Sequence, residues 1–234
     1  MCALNNPRNA RERRLLCYVT DRQSLAGGNA SLIDSLLRKI EGGISAGVDW
    51  VQIREKDLAG KEVAGLVREA LRKAAEFPKG PGTTRILVND RVDVAIAERA
   101  GGVHLAENSL HLEDVKELVT RVGAAYARDN FLVGVSCHSC DAAEVASGSG
   151  ADYIFFGPVF ATPSKAAFGA SQGLKRLEQV CRAVSVPVIA IGGVSLENAT
   201  SCLVAGAAGI AAIRLFQDAP DVKSQVASLR HLGF

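Results

Sequence analysis

Short apolar runs recur along the whole chain, each bounded by polar residues or glycine, and they predict strands. They cover Leu15–Thr20, Val48–Ile53, Ile86–Val88, Gly102–Leu105, Phe131–Ser136, Tyr153–Phe156, Val188–Ile191 and Gly209–Ile213. Helical periodicity fills the intervals. It is clearest over Ala59–Ala75, where Val63, Leu66, Val67, Ala70 and Leu71 recur at spacings of three and four. Leu112–Val122 shows the same pattern, and Ser195-Leu196-Glu197 opens a further helix over Asn198–Val204 that stops near Gly206. The strands are almost continuously apolar, as expected when protein covers both faces of a sheet. Strand–helix units repeated in this way predict an α/β fold, a TIM (β/α)8 barrel in a single domain. The rival doubly wound sheet usually carries a G-x-G-x-x-G turn after its first strand, and none follows Thr20. The barrel domain is expected over residues 15–234. Residues 1–14 read as a disordered basic lead-in, with Arg8, Arg11, Arg13 and Arg14 but no apolar stretch of the kind a signal peptide needs.

Composition narrows the function classes. The chain has 234 residues, 48% of them hydrophobic, and a net charge of +2. That balance excludes a broad nucleic-acid surface but leaves room for a local anion site. No apolar run approaches the roughly 20 residues of a membrane helix, so no membrane partner is expected. Six scattered cysteines suggest a reducing, cytoplasmic setting. Cys137 and Cys140 form a C-x-x-C around His138 without a second ligand pair, so neither a closed zinc site nor redox chemistry is the favoured reading. The sequence leaves a homo-oligomer open.

In barrels of this type chemistry gathers at the C-terminal strand ends. Strand two ends in Gln52-Ile53-Arg54-Glu55-Lys56. Alternation directs Gln52, Arg54 and Lys56 to one face if the extended geometry continues that far. Asn89-Asp90 ends strand three; it is either ordinary turn chemistry or a site where Asp90 holds a magnesium ion that shares substrate phosphate oxygens. Strand five ends in Ser136-Cys137-His138, where Ser136 is a candidate phosphate donor and His138 a candidate proton carrier. After strand six comes Gly157-Pro158-Val159-Phe160-Ala161-Thr162-Pro163-Ser164-Lys165. Thr162, Ser164 and Lys165 bring two hydroxyls and an ammonium, a set that suits a diphosphate. Gly192-Gly193 after strand seven allows close backbone approach to a second phosphate. One anion site built on side chains and another on backbone suggest transfer from a diphosphate ester to a phosphorylated acceptor.

The stretches VQIREK, LVNDRVDVA, GVHL, VGVSCHS, ADYIFFGPVFATPSK and VPVIAIGGVSLENA resemble the motif set of thiamine phosphate synthases and the related thiazole tautomerases. The resemblance runs from Leu15 to Phe216. It implies a barrel that joins hydroxymethylpyrimidine diphosphate to thiazole phosphate and releases diphosphate with Mg2+ present. It further implies that Gln52 faces the pyrimidine, while Arg54, Lys56, Asn89, Ser136 and Lys165 hold diphosphate. Thr162 and Ser164 would contact the ligands, Asp90 would ligate magnesium, and the Gly193 N–H would bind thiazole phosphate. The diphosphate is expected to leave before attack, giving a pyrimidine methylene cation that the thiazole nitrogen captures.

Two positions depart from that pattern. Ala106-Glu107-Asn108-Ser109 stands where the synthases usually have Gly-Gln-Glu-Asp, so Ser109 occupies the position of a second magnesium carboxylate unless Glu107 replaces it. Arg214 stands where a serine is usual. The tautomerases lack the second carboxylate and use a histidine matching His138, but they lose parts of the Lys–Asp set that this chain keeps. The synthase is therefore the favoured reading. A tautomerase, a Schiff-base aldolase using Lys165 and a non-catalytic ligand-binding barrel are the competitors.

Overall fold

The computed structural model describes residues 14–25, 31–77, 84–122, 131–162 and 171–234. The expected lead-in over residues 1–14 lies, except for Arg14, outside the described residues. Eight parallel strands close into a barrel in sequence order. They are β1 (Leu15–Val19), β2 (Trp50–Ile53), β3 (Arg85–Asn89), β4 (Gly102–Leu105), β5 (Leu132–Cys137), β6 (Tyr153–Phe156), β7 (Val188–Ile191) and β8 (Gly209–Ala212). The helices are α1 (Leu32–Ala46), α2 (Gly60–Glu76), α3 (Val92–Ala97), α4 (Leu112–Val122), α5 (Cys140–Gly148), α6 (Gly173–Ala183), α7 (Ala199–Val204), α8 (Arg214–Gln217) and α9 (Val222–His231). A 3₁₀ turn at Arg22–Ser24 follows β1.

The near-continuous apolarity of the strands resolves into two cores. Alternate residues such as Leu16, Tyr18, Val51, Ile53, Val103 and Ile154 face the helices and form the larger cluster. Their neighbours Cys17, Trp50, Leu87, Leu132, Tyr153, Phe155 and Ile189 fill the barrel interior. Strand register sets the levels of that interior: Asn89 pairs with His104, His104 with Gly134, and Gly134 with Tyr153. Four polar or small residues thus follow one another across the interior face from the end of β3 to the start of β6, where an all-apolar barrel would have aliphatic side chains.

The opposite end is built for stability. The Leu16 N–H donates to the Asp49 carboxylate at 2.7 Å, and Arg230 of α9 donates to the same carboxylate at 2.9 Å. Arg230 also donates to the carbonyls of Arg14 and Gly47, so the last helix ties the start of β1 to the turn before β2. Asp49→Ala would take the acceptor from the Leu16 N–H and leave the Arg230 guanidinium to its backbone carbonyls. We expect unfolding free energy to fall by about 2 kcal/mol in urea titrations, the usual cost of orphaning such groups. A change within error would show that the clamp contributes nothing.

Candidate active site

The loop after β2 is shaped by a buried carboxylate. Glu55, whose side chain is 1% exposed, accepts from the Thr20 hydroxyl at 2.7 Å, from the Arg22 backbone N–H and from the Arg22 guanidinium at 3.1 Å. The Thr20 hydroxyl oxygen in turn accepts the Arg54 N–H at 2.9 Å. Arg22 also forms a two-pronged pair with Asp57, which holds that carboxyl down at about 2. An ionised carboxylate becomes tolerable in such a place only when its lone pairs are filled in this way.

That clasp ends the strand earlier than alternation suggests. β2 stops at Ile53 and the chain turns at Lys56. Gln52 and Arg54 keep the expected relation, Gln52 inside the barrel and Arg54 half-buried just beyond it, but Lys56 lies exposed on the turn. The expectation that extended geometry would carry Lys56 to the same face is corrected, because drawing Glu55 inward bends the backbone between them.

Asp90 organises the next sector. Its φ of 55° puts it in the left-handed region, which aspartate tolerates better than most residues. One carboxylate oxygen accepts the Ala106 N–H at 2.7 Å and the other the Asn89 side-chain amide at 2.9 Å. A carboxylate only accepts, so Asn89 must present its NH2 to Asp90 and its carbonyl to Gln52. The Gln52 amide nitrogen duly donates to Asn89 Oδ1 at 2.9 Å. Gln52 Oε1, on a residue 2% exposed, is left without a partner among the described residues. Leaving such an atom unpaired is costly, and the arrangement offers an acceptor to a hydrogen-bond donor on a ligand.

His104 occupies the layer between these residues and β5. Its Nε2 lies 2.9 Å from Ser136 Oγ and its Nδ1 3.1 Å from the Tyr153 hydroxyl, with Phe155 packed on the ring at 4.2 Å. Burial lowers its pKa to about 3, with Arg54 pushing the same way and Asp90 opposing. Arg54, Asp90 and Ser136 lie at the C-terminal ends of the parallel strands β2, β3 and β5, so the cation, the carboxylate and the hydroxyl share one end of the barrel. Burial also pushes Tyr153 well above its ordinary value.

Past β7, Gly192 and Gly193 have φ of 93° and 66°. A Cβ at Gly192 would meet Pro158 Cβ at 2.5 Å, and one at Gly193 would meet the Ala161 carbonyl at 2.6 Å. The β6 loop is laid directly on this turn, with the Val159 and Phe160 N–H groups donating to the Ile191 and Gly192 carbonyls. Consecutive backbone N–H groups in such turns can cradle an anion. The helix expected over Asn198–Val204 is α7 itself, one residue shorter, and Asn198 instead bridges the Ser195 N–H and the Gly193 carbonyl. Thr162 is half-buried on the β6 loop at the same rim. Ser164 and Lys165 lie outside the described residues.

His138 is at that rim too, paired with Glu107. Glu107, the residue that the sequence offers in place of a second metal carboxylate, is therefore engaged by His138 in this structure. Among the described residues no group of three or more His, Cys, Asp or Glu side chains is placed to hold a metal. The sole carboxylate of the Gln52–Asn89–Asp90 chain keeps a spare lone pair on each oxygen, which fits a cation completed by phosphate oxygens and water. Cys137 is buried with its thiol pushed up to about 12, and the Cys140 thiol donates to Glu144, so neither resembles an activated redox thiol. A groove of about 740 Å³ beside α4 and α5, lined by Glu107, Ser109 and Cys137 among others, contains none of Gln52, Arg54, Asn89, Asp90 or Ser136.

Sequence reasoning missed His104, Tyr153 and Glu55. The first two stand at interior positions of GVHL and YIFF, and a polar side chain on the inward face of an apolar strand was the available signal.

A histidine held neutral in the native state but free to protonate when unfolded makes stability fall as pH drops below its ordinary value of 6.5. From pH 7 to pH 5 the His104 contribution should cost about 2 kcal/mol. His104→Gln should remove that part of the slope in denaturation measured across pH. An unchanged slope would mean that His104 protonates normally in the folded protein.

A model described as thiamine monophosphate synthase matches residues 16–216. A Geobacter sulfurreducens relative is 39% identical over 214 residues, covering 92% of each chain. The thiamine-phosphate synthase of Roseiflexus castenholzii is 36% identical over 93% of this chain and 87% of its own. In three dimensions, a thiamine phosphate pyrophosphorylase from Pyrococcus furiosus superposes with a TM-score of 0.76 at 30% identity, over 96% of this chain and 97% of that one. Matches of this extent, running through every strand whose mouth forms the site, mean that the chain belongs to the thiamine monophosphate synthase family.

Proposed function

We propose that this protein joins hydroxymethylpyrimidine diphosphate to thiazole phosphate, forming thiamine phosphate and releasing diphosphate. The observation that carries the reading is the hydrogen-bonded chain from Gln52 through Asn89 to Asp90, standing at the same barrel end as Arg54 and Ser136. An open amide acceptor, a guanidinium, a hydroxyl and a carboxylate together suit a ring with a donor group and a diphosphate. Gln52 takes the pyrimidine edge through Oε1. Arg54 and Ser136, with Lys165, Thr162 and Ser164 from the β6 loop and Lys56 from its exposed turn, hold the diphosphate. Asp90 is the residue that would hold Mg2+, and the ion would supply further positive charge to the departing phosphates.

These groups make bond breaking easier because charge grows on the leaving diphosphate, and fixed donors stabilise it more than they stabilise the bound ester. The Gly192-Gly193 turn holds the acceptor's phosphate, and that anchorage keeps the thiazole nitrogen close to the methylene carbon. The nitrogen carries no proton, so the chain needs no general base. A biosynthetic role on small phosphorylated substrates suits the cytoplasm. Free thiols support that setting, and no described helix is long and apolar enough to cross a membrane.

The tautomerase reading has one observation in its favour, the Glu107–His138 pair, which could move a proton. Incubation with both synthase substrates and magnesium, and in parallel with a thiazole carboxylate phosphate, separates the two. Thiamine phosphate is the expected product; proton exchange into a thiazole carboxylate phosphate without it would overturn the synthase reading. Arg54→Ala and Lys165→Ala should each lower turnover by roughly 10²–10³-fold, the scale for losing one charge-stabilising donor. Cys140→Ser should leave the rate unchanged, and a large loss would reveal a role for the C-x-x-C pair.

A further inference from the structure

We infer that Tyr153 and His104 are positioning residues whose hydrogen-bond relay fixes the Ser136 hydroxyl as a donor toward the leaving diphosphate. The inference rests on the synthase reading for its ligand but on interior geometry for its mechanism. His104, Gly134 and Tyr153 are register neighbours across β4, β5 and β6. A Cβ at Gly134 would lie 2.0 Å from Tyr153 Cζ, so only glycine lets the phenol lean across β5. The hydroxyl then reaches His104 Nδ1 at 3.1 Å. Ser136 lies two residues beyond Gly134 on the same strand face, and its Oγ is 2.9 Å from Nε2. Trp50 packs on the phenol at 4.7 Å and Phe155 on the imidazole at 4.2 Å, which leaves both rings one orientation.

Proton accounting gives the relay its direction. A neutral imidazole carries one N–H. If that hydrogen were on Nδ1 and pointed at the phenol oxygen, the buried phenol proton would have no acceptor among the described residues. A buried donor left so forfeits its hydration without recompense. The phenol therefore donates to Nδ1, and Nε2–H donates to Ser136 Oγ. One lone pair of that oxygen is then occupied from below, and its own hydrogen is free for the mouth. A serine without this backing could turn its hydrogen inward to the imidazole and show an incoming phosphate only lone pairs. The relay suppresses that orientation, and no proton need be transferred at any step.

The tautomer is read directly from ¹⁵N-labelled protein by long-range imidazole NMR, without substrates. Nε2–H in the wild type is expected, and Nδ1–H would overturn the inference. Tyr153→Phe removes the donor while keeping the ring. It should shift His104 away from Nε2–H and lower kcat by roughly tenfold, the scale of one charge-assisted hydrogen bond, with KM for thiazole phosphate unchanged. In a Ser136→Ala background the same substitution should have no further effect, whereas a full additional loss would show that Tyr153 acts elsewhere. Inorganic diphosphate binding, measured by calorimetry, should weaken several-fold in Tyr153→Phe; unchanged affinity would count against the relay. Should the wild type make no thiamine phosphate, the synthase reading fails while the tautomer and the diphosphate titration still judge the relay.

Discussion

An acceptor-only carboxylate at a barrel mouth dictates the direction of the dipoles around it. Asp90 receives the Ala106 N–H on one oxygen and the Asn89 amide on the other. Asn89 is thereby committed to offer its carbonyl to Gln52, and Gln52 to keep Oε1 open. Reversing any member would set two acceptors or two donors face to face. Functional specificity here starts as a bookkeeping of hydrogens, settled before any ligand arrives, and preorganisation of this kind lets a site stabilise developing charge without reorganising.

Two further polar networks complement that chain. Glu55 ties the end of β1 to the loop after β2, holding the backbone from which Arg54 projects. His104 joins β4 to β5 and β6 through Ser136 and Tyr153. Each network is buried where an aliphatic residue would pack more cheaply, and each is filled with partners so that the cost of burial is offset. The Asp49–Arg230 clamp at the opposite end follows the same rule with no site to serve. The barrel thus divides its charged clusters between the end proposed to hold ligands and the end that holds the chain together.

Much of this was legible in the sequence because periodicity and strand ends are local properties. β4, β6 and β7 fall at the residues their apolar runs predict, and α4 matches throughout. Gln52, Asn89 and Asp90 could be named because each lies within one residue of a strand's end. Lys56 could not be placed, since its direction depends on a buried contact between Glu55 and Thr20, 35 residues away. Glu107 was a candidate second ligand on the family motif alone, and its contact with His138, 31 residues on, was not visible there. The Tyr153–His104–Ser136 relay was invisible for a related reason. It needs the register of three strands and the missing side chain of Gly134, and neither is a property of any one segment.

The central claim is that cations, hydroxyls and one carboxylate converge on a single diphosphate site at the C-terminal end of the barrel. The most direct measurement is a crystal structure of the protein soaked with diphosphate and Mg2+. The account predicts diphosphate between Arg54 and Ser136, with the ion on Asp90. Diphosphate bound beside Asp49 and Arg230, or Arg54 and Ser136 left untouched while diphosphate binds elsewhere, would contradict it.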